Sequence, residues 1–326
     1  MQRILARYLH AQPQGISAMN LEDKNLQLGD VIGGIQALSN QSNALEDLLI
    51  YLRQSHGFDF NGYKRPSLTR RLQQRMQMVR MSNYSNYRDY LKENPKEFNE
   101  LFKKIEINFT SFFRDAETWD YLVTEIVPRI IASKQASEPS RVWSAGCASG
   151  EETYTLAIVL AQALGVEQFH KRVQIYASDV DEEALSQARQ GTYLSAQVVK
   201  IPPSLLFQYF EQVDGHYVVC KDLRRSITFC RHDLIQDAPM SKIDLLVCRN
   251  VVIYFNIEAQ IRALVRFHFS LKDSGFLFYG KAEMLPTNIN LFTAVDHRQH
   301  VFTKVLGAHL DSYLLPRAFL KQERGR

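Results

Sequence analysis

The apolar residues of this chain change their spacing at about Arg141. Between Ala44 and about Lys134 they follow the helical period, in stretches separated by Gly, Pro, Ser and Asn. Beyond Arg141, short apolar runs alternate with helical stretches. The first pattern is typical of amphipathic helices, and the second is typical of strands that alternate with helices. The sequence therefore predicts an all-helical domain followed by an α/β domain with a doubly wound, mostly parallel sheet.

These patterns divide the chain into four parts. Residues 1–43 are polar and rich in turn signals, so we expect a poorly ordered leader before the helical domain of residues 44–134. Residues 135–305 form the sheet domain, and residues 306–326 are expected to be a loosely attached tail. The predicted core strands are residues 142–146, 173–179, 243–248 and 276–280. Two further β-rich runs, His216–Cys220 and Ser226–Cys230, predict a small antiparallel β-subdomain inserted at residues 206–230.

Composition limits the classes of function. No apolar run approaches the roughly 18 residues that a membrane span needs, so we expect a soluble cytoplasmic protein without membrane insertion. The four cysteines are scattered and lack CxxC spacing, which predicts reduced thiols and no metal site. The formal net charge of +4 is too small to indicate a partner by itself.

A glycine loop joins the first predicted strand to the next helix. Its GxxxG spacing, from Gly146 to Gly150, differs from the patterns of dinucleotide folds and phosphate loops. Asp179 ends the second predicted strand, where a carboxylate can accept hydrogen bonds from both ribose hydroxyls of a cofactor. Asp179 could instead cap the next helix, a role that Asp181 could equally fill. Asp233 could accept from an adenine amino group or could be an exposed turn residue.

Four motifs occur along the chain in the following order. They are Ile107–Asp115 (INFTSFFRD), Trp143–Glu152 (WSAGCASGEE), Ala177–Asp181 (ASDVD) and Cys248–Phe255 (CRNVVIYF). Together they resemble the CheR family of chemotaxis-receptor methyltransferases, over about Leu45 to Val305. The stretches Gly191–Tyr193 and Phe276–Gly280, the latter followed by Glu283, also match this family.

The resemblance implies an S-adenosylmethionine-dependent protein-glutamate O-methyltransferase. It also implies a Rossmann-like methyltransferase sheet, an all-helical N-terminal domain and a small inserted antiparallel β-subdomain. By motif position, the family's cofactor contacts fall on Asn108, Thr110, Arg114, Gly146, Glu151, Asp179, Asp233, Leu234, Arg249 and Asn250. The family commonly has asparagine at the position of Asp233, so we expect an altered affinity for the cofactor without loss of binding.

The implied chemistry needs positioning more than proton transfer. A glutamate carboxylate has an unperturbed pKa of about 4.3, so it is ionised at neutral pH and requires no general base. The sequence also offers no Ser-His-Asp set near the glycine loop. Arg114 and Tyr254 are the catalytic candidates, because one offers a planar fork for a carboxylate and the other a phenolic hydroxyl. Their alternative roles are a surface ion pair for the arginine and simple packing for the tyrosine.

The predicted helix Pro66–Met81 carries a basic face. Its candidate docking residues are Arg70, Arg71, Arg75 and Arg80. The resemblance implies that this face meets the cytoplasmic helical domain of a membrane chemoreceptor, while a merely solvated face is the alternative. Nucleic-acid binding is disfavoured, because aromatic residues for base stacking are missing from this helix. A receptor tail peptide could add to the inserted β-subdomain as an extra strand, or that subdomain could only stabilise its neighbours.

Other functions remain open on the sequence alone. The chain could be a signalling module that binds S-adenosylmethionine without catalysis, or a methyltransferase with a different acceptor. The basic helix favours an acidic protein as the acceptor. An NAD-dependent oxidoreductase is disfavoured by the spacing of the glycines.

Overall fold

The computed structural model describes residues 21–106, 108–135, 138–286 and 289–308, with side chains from Ser39 onward. The described chain divides into two compact units. The first unit contains residues 21–60 and 74–98. The second unit contains residues 61–73 and 99–308 and therefore includes a short piece of chain that interrupts the first.

The first unit is helical. Its long helix α1 covers Leu21–His56, and α3 covers Tyr84–Glu93, while α2, Arg65–Met78, contributes its last residues. Helix α1 includes residues 21–43, for which a poorly ordered leader was predicted, and residues 1–20 lie outside the described chain. This segment contains no proline and many residues of good helix propensity, so it can be helical without a sustained apolar period.

The remaining helices surround the sheet or connect its strands. They are α4 (Glu97–Ile105), α5 (Ala116–Tyr121), α6 (Val127–Ala132), α7 (Glu151–Leu164), α8 (Val166–Arg172), α9 (Glu182–Gln190), α10 (Ser195–Val198), α11 (Pro203–Tyr209), α12 (Lys221–Arg225) and α13 (Ile257–Ser270). A π-helical turn, Leu122–Ile126, joins α5 to α6, and single 3-10 turns cover Phe60–Gly62 and Val252–Tyr254. No helix in the described part of the chain has both the length and the apolar character of a membrane span.

The second unit is built on a seven-stranded sheet. The strands of the described chain are β1 (Ser140–Ala145), β2 (Val173–Asp179), β3 (Thr192–Leu194), β4 (Phe210–Val213), β5 (His216–Val219), β6 (Ile227–Arg231), β7 (Ile243–Cys248), β8 (Leu271–Tyr279), β9 (Phe292–Asp296) and β10 (Val301–Lys304). The sheet order is β6-β2-β1-β7-β8-β10-β9. The pairs from β6 to β8 are parallel, and β10 runs antiparallel to both neighbours. The predicted α/β fold is confirmed.

The strand order places a ligand-binding crevice beside β1. From β1 the chain continues to β2 on one side of the sheet, and it later returns to β7 on the other side. The loops that follow these strands diverge at their carboxyl ends, which is where open parallel sheets bind ligands. All six residues of β7 are buried, as expected for a central parallel strand with both faces covered.

The small antiparallel sheet exists but differs from the prediction. Its order is β3-β5-β4, so Thr192–Leu194 joins it from outside the expected insertion. The run Ser226–Cys230 was expected in the same sheet, whereas β6 extends the main sheet parallel to β2. β-Propensity alone does not show which strand a β-rich run pairs with, because the partner is fixed by tertiary position.

The helical segment before β1 packs with the sheet. Trp119, Leu122, Ile126 and Ile130 are buried in the same apolar cluster as Val142 of β1. The compact unit of the sheet therefore begins before residue 134, where the sequence placed the end of the helical domain. Burial of these apolar side chains against the sheet explains the difference.

Candidate active site

A pocket of about 800 Å³ opens at the carboxyl ends of β1, β2 and β7, entirely within the second unit. Ten of the residues predicted from sequence line it: Asn108, Thr110, Arg114, Gly146, Asp179, Asp233, Leu234, Arg249, Asn250 and Tyr254. The structure therefore brings the separate motifs of the sequence to one cavity.

The glycine loop and Asp179 form one wall. Gly146 has φ of 75° and donates its amide to the Ser178 carbonyl at 2.7 Å. A Cβ at Gly146 would overlap the side chain of Val251, so glycine is needed for space as well as for backbone conformation. Asp179 accepts the amide of Ala148 at 2.8 Å through one oxygen and the amide of Asp181 at 3.0 Å through the other. Each oxygen keeps a lone pair that can accept from a hydroxyl group of a ligand.

Asp181, and not Asp179, caps helix α9. Its Oδ1 accepts the amides of Glu183 and Ala184 at 2.9 and 3.2 Å. Its Oδ2 accepts the side-chain amide of Asn108 at 2.6 Å. The two aspartates thus have separate tasks, because Asp181 holds the helix start and Asn108 while Asp179 faces the pocket.

Glu152 lines the pocket, whereas its predicted neighbour Glu151 does not. The predicted residue Glu151 does not line the pocket, since its carboxylate accepts from the hydroxyl of Ser149 at 2.7 Å and from Gln197 at 3.3 Å. Glu152 does line it. Consecutive helical residues point about 100° apart, so only one of two adjacent glutamates can face a given side, and the motif did not indicate which.

Arg249 forms two buried ion pairs within the protein. Its side chain bonds Asp115 at 2.5 Å and Glu152 at 3.1 Å, and it is almost fully buried. The guanidinium also lies 5.3 Å from the ring centroid of Trp119. Burial raises the pKa of Glu152, while the charge of Arg249 acts in the opposite direction. Arg249 therefore joins the end of β7 to the start of helix α7 and to the loop that carries Arg114.

Arg114 remains available for a ligand. Its carbonyl accepts the indole N–H of Trp119 at 2.9 Å and is also contacted by Arg249, so its backbone is held in place. Its guanidinium lies 5.9 Å from the ring centroid of Phe109 and donates weakly to the Phe109 carbonyl at 3.4 Å. No carboxylate pairs with Arg114 among the residues that the structure describes.

Backbone strain is concentrated around this pocket. Ala148 and Asn250 line it with φ of 46° and 60°, and Phe113 and Asp115 flank Arg114 with φ of 48° and 59°. Left-handed conformations of residues other than glycine cost free energy and persist only where the surroundings impose them. The surrounding hydrogen bonds and ion pairs must therefore hold this backbone in its shape.

Arg71 is not on a docking surface. Only 6% of it is exposed, its guanidinium lies 5.2 Å from the ring centroid of Tyr254, and it donates to the carbonyl of Ile105. The prediction of a docking role is wrong for this residue, because its charge is buried against the pocket wall. The amphipathic pattern placed Arg71 on the basic face, since a buried arginine with a backbone partner cannot be distinguished by spacing alone.

The other predicted docking residues differ in their environments. Arg75 bonds both oxygens of Glu97, at 2.8 and 2.7 Å, so its fork is occupied. Arg70 and Arg80 are exposed and have no carboxylate partner within the described chain. Helix α2 ends at Met78, and Arg80 has a left-handed φ of 59°, so the predicted helix to Met81 is slightly too long.

The sequence analysis missed several residues of the pocket wall, among them Tyr63 and Glu106. Tyr63 and Glu106 both line the pocket, and the tyrosine hydroxyl donates to Glu106 at 2.6 Å. The pKa of Glu106 is raised to about 7, mainly by burial, and the nearby carboxylates of Asp179 and Asp181 act in the same direction. Glu106 lies next to the motif at residues 107–115 and could have been noticed, whereas Tyr63 carries no motif signal.

Asp233 stabilises its own turn. Its Oδ1 accepts the amide of Ile235 at 2.7 Å, and its Oδ2 accepts the side-chain amide of Gln236 at 2.9 Å. It is buried and lines the pocket, so the exposed turn aspartate that the sequence also permitted is wrong. A lone pair remains on this carboxylate for a donor in the pocket.

Comparison with known families identifies the class of this site. The family described as "CheR methyltransferase, SAM binding domain" matches residues 108–301, and the family described as "CheR methyltransferase, all-alpha domain" matches residues 43–105. The chain belongs to the CheR methyltransferase family. S-adenosylmethionine is its cofactor, and the residues fit this group, because a buried carboxylate with free lone pairs follows a glycine loop at the carboxyl ends of parallel strands.

Individual relatives agree with this assignment. The chain is 32% identical to the "Chemotaxis protein methyltransferase" of Listeria innocua serovar 6a, over 74% of this chain and 91% of that protein. It is 31% identical to the protein of the same name from Escherichia coli K12, over 72% of this chain and 81% of that protein. It is also 30% identical, over 89% of its length, to the "Uncharacterized 104.1 kDa protein in hypE 3'region" of Rhodobacter capsulatus, and it spans only 30% of that protein.

Proposed function

We propose that this chain transfers methyl groups to glutamate side-chain carboxylates of chemoreceptors and so adjusts chemotaxis signalling in the cytoplasm. The observation that carries the proposal is the contrast between two arginines of the pocket. The charge of Arg249 is compensated by Asp115 and Glu152, whereas the guanidinium of Arg114 has no carboxylate partner in the described chain. Arg114 is therefore the cation that can receive an acceptor carboxylate.

The cofactor contacts are proposed from the positions of the pocket residues. Asp179 accepts from the ribose hydroxyls, and Asp233 and Leu234 contact the adenine. The remaining contacts come from Asn108, Thr110, Arg114, Gly146, Arg249 and Asn250. Glu152 is proposed as a contact instead of Glu151, because Glu152 lines the pocket. Arg249 contributes mainly by orienting Glu152 and the Arg114 backbone.

The chemistry needs no proton acceptor. When bound, S-adenosylmethionine would supply a sulfonium-bound methyl group, which would pass to a carboxylate oxygen in one in-line displacement while the electron pair of the broken C–S bond stays on sulfur. The acceptor glutamate is ionised at neutral pH, so no residue of the chain has to remove a proton from it. Arg114 holds the carboxylate through its fork, and Tyr254 offers a hydroxyl that orients the reacting oxygen.

The receptor would be held outside the pocket by charge and by strand pairing. Arg70 and Arg80 offer exposed positive charge to acidic receptor helices. Strands β3 and β4 form the two edges of the small antiparallel sheet, and either edge could accept a receptor tail peptide as a further strand. Arg71 and Arg75 are left out of this docking proposal, because one is buried and the other is paired with Glu97.

The test is transfer of labelled methyl from S-adenosylmethionine to purified chemoreceptors, with base-labile product as the sign of a carboxyl ester. We expect Arg114→Ala to lower kcat/KM by roughly 100-fold, because the acceptor loses its orientation. Arg231→Ala, at an exposed arginine that does not line the pocket, is the matched control and should behave as wild type.

The same assay separates the other functions. Binding of S-adenosylmethionine without transfer to receptors or to other cell proteins would favour a non-catalytic signalling module. Transfer to a different acceptor, with receptors left unlabelled, would retain the methyltransferase and reject the receptor as substrate. Equal transfer by Arg114→Ala and wild type would contradict the role proposed for Arg114.

A further inference from the structure

A buried glutamate behind the pocket binds the backbone of the pocket wall. Glu283 follows β8 and is only 2% exposed. Its Oε2 accepts the amides of Gly280 at 2.7 Å and Asn250 at 2.8 Å. Its Oε1 accepts the amides of Val251 at 2.8 Å and Val252 at 3.0 Å. One carboxylate thus satisfies four backbone donors, and it has no cationic side-chain partner within the described residues.

Three of these four donors belong to one functional segment. Residues 249–254 join the end of β7 to the 3-10 turn Val252–Tyr254, and they include Arg249, Asn250 and Tyr254 of the pocket wall. Asn250 has a left-handed φ of 60°, which an isolated chain would seldom adopt. The first amides of a helical turn have no partner within the turn, so a distant carboxylate that accepts them fixes where the turn starts.

We infer that Glu283 is a positioning residue for methyl transfer, which holds the segment 249–254 so that Tyr254 and Arg249 keep their places in the pocket. This inference rests on the function proposed above. Glu283 itself does not line the pocket, so it acts through the segment and not on a ligand. This role requires a carboxylate at position 283, because both oxygens of Glu283 are used and each accepts two backbone amides.

Glu283→Gln is the closest change in shape that breaks this arrangement. Glutamine has one acceptor oxygen, so in either orientation its NH₂ group faces two of the four backbone donors. Glu283→Asp keeps both oxygens but is one methylene shorter, so it should retain part of the function. Glu97→Gln is the matched control, since Glu97 is also buried and bonds Arg75 and Tyr87 but does not line the pocket.

The first measurement is hydrogen exchange of the peptide that contains residues 249–255. We expect faster exchange in Glu283→Gln than in wild type, with an intermediate rate in Glu283→Asp. The peptide that contains β1 serves as an internal reference and should not change. Unchanged protection of residues 250–252 in Glu283→Gln would overturn the inference, whatever the acceptor of the enzyme is.

The second measurement is kinetic. We expect Glu283→Gln to lower kcat by roughly 10- to 100-fold while the affinity for S-adenosylhomocysteine changes much less, because misplaced reacting groups affect turnover most. In a Tyr254→Phe background the same substitution should cost less, since both changes act on one segment. Equal costs in both backgrounds, or a loss of turnover no larger than the loss of folded protein, would contradict the inference.

The two proposals can fail separately. If wild type labels no receptor, the proposed function fails, and hydrogen exchange still decides whether Glu283 holds the segment. If wild type labels receptors and Glu283→Gln exchanges and reacts as wild type does, only the inference fails. If Glu283→Gln does not fold, Glu283→Asp undergoes the same measurements, and wild-type behaviour of that variant would count against the inference.

Discussion

At the scale of single residues, the two arginines of the pocket have different roles. Arg249 forms ion pairs within the protein, whereas Arg114 is available to a ligand. Arg249 lies between two carboxylates and two aromatic rings, and removing it would leave Glu152 buried without its cation. Arg114 contacts one aromatic ring and a carbonyl and is much less enclosed. Both arginines lie in motifs of the sequence, but the motifs do not show which arginine forms ion pairs and which is available to a ligand. The ion pairs of Arg249 are formed with residues more than 90 positions away in the sequence.

The raised pKa of Glu106 predicts that the stability of the protein depends on pH. Burial raises its pKa from 4.5 to about 7, and Asp179 and Asp181 act in the same direction, whereas the Tyr63 hydroxyl and Arg71 oppose them. Between pH 4.5 and about pH 7, Glu106 is mostly ionised in the unfolded chain but mostly protonated in the folded chain. The unfolded chain therefore binds fewer protons, and the free energy of unfolding falls as pH rises. We expect the advantage of wild type over Glu106→Gln to decrease by about 3 kcal/mol from pH 4 to pH 8.

Denaturant unfolding of both proteins across this pH range measures the effect. Glutamine can still accept from Tyr63, so the comparison isolates the ionisation of Glu106. Glu100→Gln, at an exposed position of helix α4, which ends just before Glu106, is the control and should follow wild type at every pH. A constant difference between wild type and Glu106→Gln would show that Glu106 does not titrate in this range.

At the scale of elements, the cap of helix α9 is coupled to the pocket through Asn108. Asp181→Ala removes the cap and the acceptor of Asn108 together, so we expect a loss of about 1 kcal/mol in stability and a weaker affinity for S-adenosylhomocysteine. Asp181→Asn keeps a capping oxygen but turns an NH₂ group toward Asn108, so it should lower the affinity with little loss of stability. Thermal unfolding and calorimetric binding measure the two quantities.

A second cap provides the comparison. Asn83 accepts the amide of Asn86 at 2.8 Å at the start of α3 and does not line the pocket. Asn83→Ala should cost a similar stability without any change in affinity. If Asp181→Ala and Asn83→Ala had the same effect on both quantities, the coupling through Asn108 would be absent.

The bounds of strands were predicted well where the local sequence pattern determines them. The partner of a strand in a sheet was predicted poorly, because it depends on tertiary structure. Strands β2 and β7 have the predicted ends, because short β-rich runs that start directly after a charged residue are informative by themselves. The partner of β6 was wrong, since a short β-rich run does not carry the identity of its neighbour. Helix α1 was missed over residues 21–43, because its sequence has no apolar period.

At the scale of the whole molecule, the proposed receptor contact is electrostatic and should depend on salt. Arg70→Glu replaces an exposed charge that has no carboxylate partner among the described residues, so we expect kcat/KM for receptor methylation to fall roughly tenfold at low ionic strength. The difference from wild type should shrink as salt screens the contact. Arg262→Glu, at an exposed position of α13, is the charge-matched control and should leave receptor methylation unchanged. A salt-independent defect in Arg70→Glu would argue against a docking role.

The discontinuous second unit also limits how this chain can be divided. Residues 61–73 belong with the sheet although they lie between two parts of the helical unit in sequence. They supply Tyr63 to the pocket wall and Arg71 to the ring of Tyr254. A gene fragment that begins at residue 108, where the family's cofactor domain begins, would encode an incomplete cavity. Recombination that exchanged the N-terminal region of this protein would therefore also exchange Tyr63 of the pocket wall and Arg71 beside Tyr254.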